Sequence, residues 1–68
     1  MNEETFNRIK YDLRVILANP SIPTLRDKVA HQVTYLFALS RFGIITNEEF
    51  SKISLDVVKS YKEKHENE

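Results

Sequence analysis

The chain has no cysteine, no tryptophan, one glycine, one methionine and two prolines among its 68 residues. Without cysteine there is no disulfide, no thiolate nucleophile and no cysteine-ligated zinc. A secreted chain of this size usually carries such staples, so a cytoplasmic setting is expected. A single glycine rules out a glycine-rich phosphate loop. It also leaves Gly43 as the one residue that takes a left-handed backbone without steric cost. Net charge is missing too, because ten basic residues cancel ten acidic ones. The isoelectric point near 6.7 therefore implies no overall field toward nucleic acid or an anionic membrane. Met1 is followed by Asn2, Glu3 and Glu4, not by a basic segment and an apolar run, and no stretch approaches the ~20 apolar residues that span a bilayer. No membrane partner is expected.

What is present is a globular composition, 41% hydrophobic and 29% charged, in which neither class dominates as it does in a disordered or membrane-spanning chain. A chain this short buries roughly 60% of its unfolded surface, so its core must be thin. The expected fold is all-α, a small three-helix bundle with helices at about 3–18, 25–42 and 47–63. Residues 1–63 form one domain, followed by a polar tail, 64–68, that frays.

In the first helix Asn2 is the N-cap, and Phe6, Ile9, Leu13, Ile16 and Leu17 share the face expected in the core. Tyr11 and Val15 lie nearly opposite, flanked by Arg8 and Arg14. Two prolines in Asn19-Pro20-Ser21-Ile22-Pro23-Thr24 then interrupt the helix, and proline between Asn19 and Ser21 removes a glycosylation acceptor. Thr24 with Asp27 starts the second helix. Its broad apolar face is Leu25, Val29, Val33, Leu36, Phe37 and Leu39, with Tyr35 and Phe42 on a flank. The third helix carries a narrow stripe of Phe50, Ile53, Val57 and Tyr61, from which Leu55 and Val58 point away.

The stretch Arg41–Phe50 reads as a joint. Gly43 at C′ ends the second helix, with Leu39 and Ile44 in the positions that close a Schellman turn. Thr46 and Glu49 form a capping box for the third helix, and Ile45 and Phe50 occupy the hydrophobic-staple positions. Residues 36–53, through Leu39, Gly43, Ile44, Ile45, Thr46, Glu48, Glu49 and Phe50, resemble the short C-terminal (SHOCT-type) helical-hairpin segments. That resemblance, which extends to small proteins of Gram-positive mobile elements and phages, implies a helical hairpin and an interaction or oligomerisation role.

Catalytic chemistry finds little support. Asp27 and His31, at i and i+4, supply two metal-capable groups where a site needs three or more, and His65 lies in the tail. Glu48 and Glu49 point about 100° apart in a first helical turn, where capping and the helix dipole account for them. No spacing of Ser, His and Asp builds a strained nucleophile turn. The expectation is a non-enzyme with no cofactor and no metal.

The expected function is a small protein–protein interaction module, as a homodimer or as a phage- or mobile-element-type regulator, using Tyr11, Val15, Leu55 and Val58. One alternative is a DNA-binding regulator. Residues 5–41 carry Arg8, Lys10, Arg14, Arg26, Lys28 and Arg41 against Asp12 and Asp27, but the basic residues are spread around two helices, and Glu48 and Glu49 open the helix that would enter a groove. The other alternative is an immunity-like inhibitor of a host protein.

Overall fold

The structure, a computed structural model, describes residues 1–66, and side chains through Glu63. It contains three helices: α1 (Glu3–Ala18), α2 (Leu25–Arg41) and α3 (Asn47–Glu66). Helix α3 runs three residues past the expected end at 63, and Asn67 and Glu68 of the expected tail lie outside the described residues.

Local chemistry sets each boundary. The Asn2 side chain accepts from Thr5 N–H at 2.8 Å, and the Thr24 hydroxyl accepts from Asp27 N–H at 3.1 Å. At the far end of α2, Gly43 adopts φ 76°, a region that a Cβ makes costly. Ile44 N–H then reaches back to Leu39 O at 2.9 Å, and Gly43 N–H to Ser40 O at 3.1 Å, the two bonds of a Schellman ending. Three residues on, Glu49 N–H donates to the Thr46 hydroxyl at 3.0 Å while Thr46 N–H donates to Glu49 Oε1 at 2.8 Å. The bonds that close one helix and open the next fall within eleven residues, 39–49, which makes α2 and α3 an antiparallel hairpin of defined angle.

Helix α2 is the central element. Leu36 is fully buried at its middle and packs in one cluster with Ile9 from α1 and Ile45 from the joint. Leu13, Tyr35, Leu39, Phe50, Ile53 and Val57 surround these three, each only partly buried. Two polar groups tie α1 to α2: Gln32 Nε2 donates to Leu13 O at 3.0 Å, and Tyr35 OH donates to Asp12 Oδ2 at 2.6 Å.

Helix α1 makes its backbone contacts with α2. Among the described residues no α1 Cα comes within 8 Å of an α3 Cα. Several residues expected in the core are only partly covered. Phe6 is 40% and Leu17 is 37% exposed, while Phe42, expected on an apolar flank of α2, is 81% exposed. Phe37 is half exposed and meets Phe50 edge-on, with ring centroids 5.9 Å apart.

Candidate functional site

The separation of α1 from α3 leaves a cleft of about 320 Å³ above α2. Its α1 wall is Phe6, Leu13 and Leu17, with Lys10 and Arg14 along the rim. Its α3 wall is Ile53, Val57 and Tyr61, with Asp56 and Ser60 along the rim, and its floor is Leu25, Val29 and Gln32 of α2. Helical spacing explains the α1 wall: Phe6, Lys10, Leu13, Arg14 and Leu17 recur every three to four residues and lie on one side of α1. The core residue Ile9 lies on the adjacent side. An amphipathic stripe wider than its contact with α2 thus spills over into the cleft.

Polar groups in and around the cleft hold structure more than they offer chemistry. Gln32 is almost fully buried, and its amide is spent on the Leu13 carbonyl. Lys10 Nζ stands 4.7 Å from the centre of the Phe6 ring, a cation–π contact that keeps the ammonium on the rim. On the other edge of α1, Asp12 accepts from Tyr35 and lies 3.4 Å from Arg8 Nε. Burial, together with the hydrogen bond to Asp12, pushes the Tyr35 phenol up to about 12, so at neutral pH it is a fixed donor bridging two helices. Near the joint, the Met1 amine lies 2.8 Å from Glu49 Oε2. That bond, with the one from Thr46 N–H, holds the Glu49 carboxyl below its usual range. Among the described residues no group of three His, Cys, Asp or Glu side chains is placed to hold a metal ion, and no helix is long and apolar enough to cross a membrane.

The four residues expected to form an interaction surface are all exposed, led by Leu55 at 70% and Tyr11 at 61%, with Val15 and Val58 less so. Tyr11 and Val15 sit on the outer side of α1, while Leu55 and Val58 sit on α3, and none of the four lines the cleft. The cleft escaped sequence reasoning because its walls are the same apolar stripes that normally signal a core. The available signal was the width of the α1 stripe, too broad for one neighbouring helix.

The chain matches no protein-family model, no curated protein and no solved structure.

Proposed function

We propose that the chain is a small, non-enzymatic protein–protein interaction module, of the regulator kind that phages and mobile elements carry. One observation carries the reading: an apolar cleft stays open between α1 and α3 while, among the described residues, Ile9, Leu36 and Ile45 are the buried apolar side chains. A chain that leaves so much of its apolar side-chain surface uncovered gains by covering it with another protein. The resemblance of the joint to SHOCT-type segments supports the same reading, and an immunity-like inhibitor of one host protein is a form of it.

The DNA-binding alternative is weaker on electrostatic grounds. Arg8 is engaged with Asp12, Lys28 Nζ donates to Asn19 O at 2.8 Å, and Arg41 stacks over Phe37 near the joint. Basic groups distributed in this way make no continuous track for a phosphate backbone.

Capture from a lysate of the native host, with the wild-type chain and two surface variants as bait, tests the reading. We expect a protein that the wild type retains and that falls at least about tenfold on Leu17→Glu or on Leu55→Lys, the loss of roughly 1.4 kcal/mol that one well-placed apolar contact supplies. Retention of nothing, or equal retention on all three baits, would contradict it.

A further inference from the structure

Helices α1 and α2 run antiparallel, because Asp12 pairs with Tyr35, Leu13 O with Gln32 and Asn19 O with Lys28. Their apolar seam does not define how far one lies along the other. On α1 a large apolar residue recurs at every turn: Phe6, Ile9, Leu13, then Ile16 and Leu17. A slide of one turn, about 5.4 Å, therefore puts Phe6 or Leu13 close to the place where Ile9 now packs with Leu36. The loop admits such a slide. Its six residues, 19–24, reach up to about 20 Å, about twice the usual spacing of packed helices.

The polar ties differ in what they distinguish. Gln32 donates to a backbone carbonyl, and a helix presents a carbonyl at every turn, so this bond is met again one turn away. Lys28 ends a flexible four-carbon stem that follows Asn19. The Met1 amine that meets Glu49 lies ahead of the α1 N-cap, outside the helix. The Tyr35 hydroxyl, by contrast, donates at 2.6 Å to Asp12, the one carboxylate of α1 beyond its first turn. One turn to either side, the residues that take the place of Asp12 are Arg8 and Ile9 or Val15 and Ile16, and no side chain among them accepts a hydrogen bond. We infer that the Tyr35–Asp12 pair is a register selector. It fixes which turn of α1 lies on α2, and so which α1 residues line the cleft, against a competing register one turn away that the apolar stripe also fits. A lone polar group choosing among apolar alignments is the best-attested use of such groups at helix seams.

Double electron–electron resonance tests the inference, and the absence of native cysteine leaves the label positions free. Labels at Asn7→Cys and Arg26→Cys, both exposed, lie toward opposite ends of the α1–α2 pair, so a slide of one turn changes their separation by up to about 5 Å. The wild type should give one distance, and so should Gln32→Leu. Tyr35→Phe with Asp12→Leu should add a second population displaced by about one turn. Asp12→Asn, whose amide oxygen still accepts from Tyr35, should keep the single distance. Moving the carboxylate back one turn, Arg8→Asp with Asp12→Leu, should shorten the distance, because residue 8 reaches Tyr35 only by travelling toward the loop end of α2. A Tyr35→Phe, Asp12→Leu chain that melts lower yet keeps the single wild-type distance overturns the inference, since the pair then only stabilises and the fit of Ile9 on Leu36 sets the register. So does an unchanged distance in Arg8→Asp, Asp12→Leu. Loss of helical circular dichroism in both double variants overturns it as well, because no second register is then able to hold α1.

Discussion

Leu36→Ala should lower the melting temperature by roughly 10–30 °C, enough to leave much of the chain unfolded at 37 °C. Leu36 has no solvent exposure and occupies the middle of α2, where Ile9 and Ile45 meet it from the two elements that α2 joins. Removing a fully buried leucine side chain costs about 2–5 kcal/mol. A chain of this length holds only about 3–10 kcal/mol in total. For domains of 60–100 residues, each kcal/mol moves the midpoint by about 4–8 °C. The thin core makes the effect large, because no second buried layer shares the load. Leu55→Ala, at a side chain 70% exposed, is the control and should shift the melt by no more than a few degrees. Thermal melts followed by far-ultraviolet circular dichroism read both. A similar small shift for both variants would mean that Leu36 is not at the centre of the packing.

Gly43→Val should cost about 1–3 kcal/mol, or roughly 5–20 °C in the same assay. A Cβ on Gly43 would have nothing within 4 Å, so no neighbour obstructs the side chain. The cost lies entirely in the backbone, which sits at φ 76° where a β-branched residue is strained. This separates two explanations that a glycine usually confounds. Asparagine tolerates the left-handed region, so Gly43→Asn should retain most of the stability. A steric requirement would instead penalise both substitutions. An unchanged melt for Gly43→Val would show that α2 does not end in the Schellman turn.

These two residues also mark what the chain discloses before it is folded. The joint was legible because its chemistry is local: Gly43, Thr46 and Glu49 each act on backbone groups within four residues, and their identities and spacing are sufficient to specify the turn. Three helices and their caps follow from the same short-range logic. The placement of α1 is of another kind. Whether Phe6 and Leu17 face a neighbour depends on the distance between α1 and α3, and no residue in either helix encodes that distance alone. Periodicity identifies an apolar face but not whether anything covers it. The bonds from Tyr35 to Asp12 and from Gln32 to the Leu13 carbonyl span 23 and 19 residues and belong to the same class. They tie α1 to α2. The outer residues Tyr11, Val15, Leu55 and Val58 stood out because they break their stripes. The cleft residues did not, because they obey them.

The separation of α1 and α3 is therefore the structural fact from which the functional reading grows. The most direct test is the pattern of methyl shift changes that a protein captured from the host lysate produces in the methyl-labelled chain. The account predicts changes at the Leu17, Val29 and Val57 methyls together, one from each helix that bounds the cleft. Changes confined to Val15, Leu55 or Val58 would contradict it and move the interaction surface to the outside of the bundle.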